Sequence, residues 1–221
     1  MHGNDMGTPG LLDDLEPGTV QPIGPRACVL RGFALPYVHD LLSSLAAIEQ
    51  ASPFRHMLTP VGYAMSVAMT NCGALGWTTD RRGYRYTTDD PETGQRWPAM
   101  PATFGRLAHE AAKAAGFADF SPDACLINRY LPGARLTLHQ DKNERDYGAP
   151  IVSVSLGMAA TFLFGGFKRS GGTAKVPLRH GDVAVWGEQD RLRYHGVMPL
   201  KGGPHPSLGS QRINFTFRKA G

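Results

Sequence analysis

From Gly116 onward the chain falls into short β-rich segments, each bounded by Gly, Pro or Asp, and this punctuation limits what the C-terminal half can fold into. Residues 124–130, 136–140, 151–156, 161–164, 174–177, 183–186, 193–197 and 212–218 all have strand character. Eight such strands in succession predict a jelly roll, two antiparallel sheets closed face to face around a mouth. The first half has a different period. Residues 27–30 are expected to form a short strand, and after Pro36 the apolar positions Val38, Leu41, Leu42, Leu45 and Ile48 follow helical spacing. A second helix is expected from about Thr103 to Ala115, with Thr103 as N-cap, Phe104, Leu107, Ala108 and Ala111 as the buried stripe, and Gly116 as the stop. The fold class is therefore α+β, a jelly-roll core with supporting helices. Residues 1–25 are rich in Gly, Pro and Asp without periodicity and are expected to form a flexible arm, leaving 26–221 as one domain.

Composition narrows the function classes. With 221 residues and 42% hydrophobic content there is enough apolar material for one good core and no need of a second. There is no apolar run of about eighteen residues and no basic start followed by an apolar stretch, so neither a membrane span nor a secretory signal is expected. The three cysteines, Cys28, Cys72 and Cys125, lack C-x-x-C spacing, which disfavours a disulfide framework or a zinc site and fits a reducing cytoplasm. A net charge of +4 permits polyanion binding without requiring it. The glycines around Lys168-Arg169 do not resemble a P-loop, which needs G-K-[ST] opening a helix.

The chemistry is concentrated in three places: His139-Gln140-Asp141, His195, and Arg212-Ile213-Asn214-Phe215-Thr216-Phe217-Arg218. In extended backbone His139 and Asp141 project to one side and Gln140 to the other. With His195 as a third ligand, two imidazoles and one carboxylate occupy one face of a metal and leave the opposite face open, the arrangement that suits non-haem Fe(II) oxygenases. Parity in 212–218 puts Arg212, Asn214, Thr216 and Arg218 on one face and Ile213, Phe215 and Phe217 on the other. Two arginines on a buried strand are costly to desolvate unless they meet anions, and guanidinium matches carboxylate in bidentate geometry. Asn128 and Tyr130 share a face and can add hydrogen bonds, so the implied ligand is 2-oxoglutarate. Each motif alone has a bland alternative, a hydrogen-bonded histidine or a solvated edge strand. Their order and spacing together make the composite specific.

At these residues the chain resembles the AlkB family of Fe(II)- and 2-oxoglutarate-dependent nucleic-acid dealkylases. The similarity runs from about Ser52 to Arg218 and includes Ser66–Gly73, Leu75–Thr79, Pro122–Tyr130 and Ala149–Gly157. It implies a double-stranded β-helix, with His139, Asp141 and His195 as iron ligands and Asn128, Tyr130, Arg212, Asn214 and Arg218 holding 2-oxoglutarate. The implied reaction uses dioxygen, converts 2-oxoglutarate to succinate and CO2, and hydroxylates the carbon on a damaged base nitrogen. The hemiaminal then releases formaldehyde.

Residues 52–100 are expected to form a nucleotide-recognition lid beside a catalytic core at about 120–219. Trp77, Arg81, Arg82, Tyr84, Arg85, Tyr86, Arg96 and Trp97 combine cations for phosphates with aromatic faces for bases, although an ordinary solvated hairpin would look the same without the metal motif. A base must leave the stack to be reached, which calls for a sandwich of flat surfaces. The resemblance implies Trp77 on one face and His139 on the other, Tyr84 on a backbone phosphate, Arg169 near the base, and Met65, Met69, Ser153 and Trp186 around the pocket. Plain packing is the alternative for the methionines and Trp186. Asn143 stands where bacterial relatives carry a carboxylate that contacts the damaged adenine, and Glu144 or Asp146 is expected to compensate. The expected substrates are 1-methyladenine and 3-methylcytosine in single-stranded DNA, with double-stranded DNA and RNA as further candidates and a cytoplasmic monomer as the working form. The alternatives are a relative acting on tRNA or a protein side chain, and a noncatalytic nucleic-acid reader. Trp77, Tyr84 and Arg169 favour a nucleobase, and intact metal and arginine positions disfavour a reader.

Overall fold

A computed structural model describes residues 16–221. Strands β1 (Val20–Gly24) and β2 (Ala27–Leu30) lead through a 3-10 turn at Leu35–Tyr37 into helix α1 (Val38–Ala51). Next come β3 (Ala68–Gly73), β4 (Gly76–Asp80), β5 (Gly83–Thr87) and helix α2 (Ala102–Ala114). The second half is all strand: β6 (Ala124–Tyr130), β7 (Leu136–His139), β8 (Ile151–Gly157), β9 (Ala160–Gly165), β10 (Thr173–Leu178), β11 (Val183–Trp186), β12 (His195–Val197) and β13 (Arg212–Arg218). A seven-stranded sheet runs β1-β2-β11-β8-β13-β6-β3, a four-stranded sheet runs β10-β9-β12-β7, and β4-β5 form a separate hairpin. The eight expected strands all appear, with ends that shift by a residue or two, and they form the two sheets of the jelly roll.

Strand parity builds two cores on opposite faces of the large sheet. Ile213, Phe215 and Phe217 of β13, with Ile127 of β6 and Val152 and Val154 of β8, meet Leu41 and Leu45 of α1 and Phe104 and Leu107 of α2. Phe104 stands edge-on to Phe215 at 5.2 Å, the preferred geometry for opposed ring quadrupoles. Between the sheets, Met69, Leu126, Ala184 and Trp186 meet Phe162, Phe164, Val176, Leu178 and Val197. The polar residues of β13 share this second face and so enter the space between the sheets.

Helix α2 ends as its sequence requires. Gly116 adopts φ +86°, and the amides of Gly116 and Phe117 donate to Lys113 and Ala112 at 3.0 and 2.9 Å, which satisfies two end carbonyls. Its start differs from expectation. Pro101, not Thr103, occupies the cap position in extended conformation, and no side chain caps the helix. The amide of Phe104 bonds the Pro101 carbonyl instead.

Two boundaries also move. Residues 1–15 of the expected arm lie outside the described residues, but Val20–Gly24 is a strand paired to β2. Pro22 is tolerated there because an edge strand has a side that needs no donor. The Gln21 side chain further ties β1 to the fold by accepting from buried Arg31. The expected lid of 52–100 is also not one layer. β3 pairs with β6 as the edge of the large sheet, and the β4-β5 hairpin stands apart from it.

Candidate metal and co-substrate site

One cavity of about 390 Å³ opens between the sheets; the residues that sequence assigned to metal and co-substrate lie on its wall with Trp77, Tyr84, Asn143, Arg169, Met65, Met69, Ser153 and Trp186, whereas Tyr86, Trp97, Glu144 and Asp146 do not. His139 ends β7 and pairs directly with His195 of β12, which puts the two imidazoles side by side with ring centres 4.5 Å apart. Asp141 lies two residues beyond the end of β7. Its Oδ1 is 3.7 Å from His139 Nε2 and its Oδ2 is 3.7 Å from His195 Nε2. The three ligand atoms lie within 4.8 Å of one another, a spacing that one ion at roughly 2 Å from each donor would draw in. Gln140 turns away, its amide donating to the Leu192 carbonyl at 2.5 Å.

The ring tautomers are set by backbone. His139 Nδ1 donates to the Thr137 carbonyl at 2.8 Å and His195 Nδ1 to that of Arg193 at 3.0 Å, so each Nε2 presents a lone pair inward. Burial, reinforced by His195, pushes the His139 imidazole down to about 4, which keeps it neutral, the form that binds a metal. Burial alone would raise Asp141. The Arg218 guanidinium, with His195 and His139 behind it, prevails and holds the carboxyl well below the ordinary range.

The two arginines of β13 differ. Arg218 donates from Nε and Nη2 to Asp141 Oδ2 at 2.9 and 2.7 Å. Arg212, 1% exposed, gives one bond to Ser155 Oγ at 2.9 Å and sits over the Tyr130 ring at 4.9 Å, while its Nε and Nη1 have no partner. Burial pulls its pKa below the ordinary arginine value. Tyr130 Oη and Asn128 Oδ1 beside it are likewise unpartnered. A buried guanidinium without a carboxylate is expensive, so these groups fit an anionic ligand with further hydrogen-bonding atoms, as a dicarboxylate has. Asn214 is more committed, donating to Ser153 Oγ and the Val154 carbonyl.

The hairpin supplies the outer wall. Trp77 stacks on Tyr84 with ring centres 5.7 Å apart and planes 20° from parallel, and its Nε1 reaches Asn143 Oδ1 at 3.4 Å. Buried Asn71 clamps the strand, accepting from the Trp77 amide and donating to the Trp77 carbonyl, both at 2.9 Å. Exposed Arg169 and half-buried Met65 complete the rim, and Met69, Ser153 and Trp186 are buried in the wall. Neither Glu144 nor Asp146, expected to compensate for Asn143, lies on the cavity wall. Glu144 is buried on Tyr86 and Arg191, and Asp146 accepts from the Gly148 amide. Sequence spacing did not reveal Asn71, Tyr86, Glu144 or Arg191 as supports, because none has a local pattern.

The fold and the site together define a two-histidine, one-carboxylate oxygenase on a double-stranded β-helix. A family model described as the 2OG-Fe(II) oxygenase superfamily matches residues 27–218, and the chain belongs to that family. Fe(II), 2-oxoglutarate and dioxygen are accordingly its cofactor and co-substrates. The chain is 58% identical over 200 residues to the alpha-ketoglutarate-dependent dioxygenase AlkB of Salmonella typhimurium, covering 90% of this chain and 93% of that one. It is 56% identical over 211 residues to the dioxygenase of the same name from Escherichia coli, covering 96% and 97%. The solved structure of OsALKBH1 superimposes with TM-score 0.79 at 29% identity, over 90% of this chain and 99% of that one. Among the described residues no helix is long and apolar enough to cross a membrane.

Proposed function

We propose that this protein is an oxidative demethylase of nucleobases, acting on 1-methyladenine and 3-methylcytosine in single-stranded DNA, as a cytoplasmic monomer. The supporting observation is that the metal triad, the unpaired Arg212 guanidinium and the aromatic hairpin line one cavity. With Fe(II), 2-oxoglutarate and dioxygen bound, the site has an oxidant strong enough for an unactivated C–H bond. The chain supplies position. Arg212, Tyr130 and Asn128 receive the co-substrate, Arg218 orients Asp141, and His139, Asp141 and His195 hold the ion. Trp77 and Tyr84 offer a flat surface to an unstacked base, and Tyr84 and Arg169 sit exposed at the rim where a phosphate backbone would pass. One atom of dioxygen would be inserted into a methyl C–H bond and the other would enter succinate as 2-oxoglutarate loses CO2, and cleavage of the N–C bond of the resulting hemiaminal would release formaldehyde and intact base.

The decisive experiment is aerobic incubation of a 1-methyladenine oligonucleotide with the protein, Fe(II) and 2-oxoglutarate, followed by mass spectrometry. Loss of the methyl group with formaldehyde release is expected. An unchanged oligonucleotide would overturn the reading, and parallel RNA and duplex substrates rank the polymers.

A further inference from the structure

The hairpin that carries Trp77 also reaches the metal ligand through a chain of buried charge. Tyr86 lies directly across the hairpin from Trp77, and its hydroxyl donates to Glu144 Oε1 at 2.6 Å. The other Glu144 oxygen accepts from Arg191 Nη2 at 3.2 Å, and Arg191 Nη1 donates to the Asp141 backbone carbonyl at 2.8 Å. Arg218 closes the loop. Its Nε is 3.5 Å from Glu144 Oε1 and its Nη1 3.5 Å from Tyr86 Oη, while Nε and Nη2 also hold Asp141 Oδ2.

Two guanidiniums and two carboxylates thus share one buried, charge-balanced cluster, in which displacing any member leaves a charge uncompensated. Tyr86, Glu144 and Arg191 are not on the cavity wall, so they meet neither base nor co-substrate. Their side chains reach the cavity through Arg218 and Asp141. A shift of the hairpin would move the Tyr86 hydroxyl and change how Arg218 is shared between Glu144 and Asp141, and both Arg218 and Asp141 line the cavity that Arg212 shares.

We propose that Tyr86 and Glu144 are positioning residues that couple the hairpin to 2-oxoglutarate binding, so that nucleic acid held against Trp77 tightens the co-substrate and the co-substrate tightens nucleic acid. This rests on the proposed nucleic-acid substrate. The reciprocity is a thermodynamic requirement, and such couplings are typically about 5–150-fold in affinity.

The test is calorimetry on the full chain with Fe(II) under anaerobic conditions, titrating 2-oxoglutarate with and without a saturating single-stranded oligonucleotide containing 1-methyladenine. The readout is the ratio of the two dissociation constants, from which any uniform loss of affinity cancels. In the unaltered protein the oligonucleotide should tighten 2-oxoglutarate about fivefold or more. In Tyr86→Phe, which removes one hydroxyl and keeps the ring, the ratio should fall towards one. Glu144→Gln should lower the ratio and also weaken 2-oxoglutarate without oligonucleotide. A ratio near one in the unaltered protein, or an undiminished ratio in Tyr86→Phe, overturns the coupling. A merely structural Tyr86 would lower the melting temperature and leave the ratio alone. The aerobic demethylation assay separates the two levels: demethylation without coupling sinks only this inference, whereas no demethylation sinks the substrate reading beneath it.

Discussion

Arg212 and Arg218 occupy one face of one strand, yet the cavity gives them opposite electrostatic surroundings. Arg218 already has a carboxylate, Asp141, whereas Arg212 has a hydroxyl, a tyrosine ring and two unpartnered nitrogens. Arg212→Ala should therefore weaken 2-oxoglutarate by about 3 kcal/mol or more, read by calorimetry. Arg212→Met keeps the volume and drops the charge, and its melting temperature without ligand should be unchanged or higher. A marked loss of stability would mean that the guanidinium has a structural partner. Asp141→Ala should abolish turnover, and near-normal demethylation with Fe(II) would remove Asp141 from the metal site. Asn143, exposed beside Trp77, can accept a hydrogen bond but offers no charge to a base made cationic by alkylation. A hydrogen bond to a charged group is worth roughly 1 kcal/mol more, so Asn143→Asp should raise efficiency on 1-methyladenine more than on 3-methylcytosine. Competition between the two lesions in one mixture measures the ratio directly, and an unchanged ratio would show that Asn143 does not set base preference.

Among the elements, the hairpin is the one whose type and position were least legible. Its arginines and tyrosines are compatible with any solvated two-stranded ribbon, and the Asn71 clamp, the Trp77 contact with Asn143 and the Tyr86 bond to Glu144 fix it against the cavity. Gly76 is required for that seat, because a Cβ there would lie 2.4 Å from the Trp97 ring. Base–aromatic stacking is worth roughly 1–3 kcal/mol, so Trp77→Ala should impair demethylation while leaving metal and 2-oxoglutarate affinities intact. Equal efficiency in the variant would make Trp77 a packing residue. By contrast, β6, β11 and β13 match their sequence segments end to end, because each is a short β-prone run between turn residues. β1 falls in the segment read as an arm because residues 1–25 show no periodicity, and its pairing with β2 is what makes it a strand.

For the whole molecule, the metal triad joins β12 to the segment following β7, on the sheet opposite β13. An ion bound to these residues and absent from the unfolded chain must stabilise the fold, by about 2.7 kcal/mol at a hundredfold excess over its dissociation constant. At roughly 2–4 °C per kcal/mol for a chain of this size, Fe(II), Mn(II) or Co(II) should raise the melting temperature by about 5–10 °C. Chelator should reverse the shift and Asp141→Ala should abolish it. A shift of the same size in that variant would place the stabilising ion elsewhere.

Much of this protein follows from local rules. The two-residue period of a strand is a property of the backbone itself, so it assigned His139 and Asp141 to one side and separated the arginines of β13 from its phenylalanines before any partner was known. Pairing across long stretches of chain has no such rule. Asp141 and Arg218 are 77 residues apart, and only the closing of two sheets brings them to 2.7 Å. That closure decided which arginine is free to take a ligand, buried Glu144 away from the base, and joined Tyr86 to the metal ligand, because burial and charge compensation depend on everything packed around a residue and not on its neighbours in sequence.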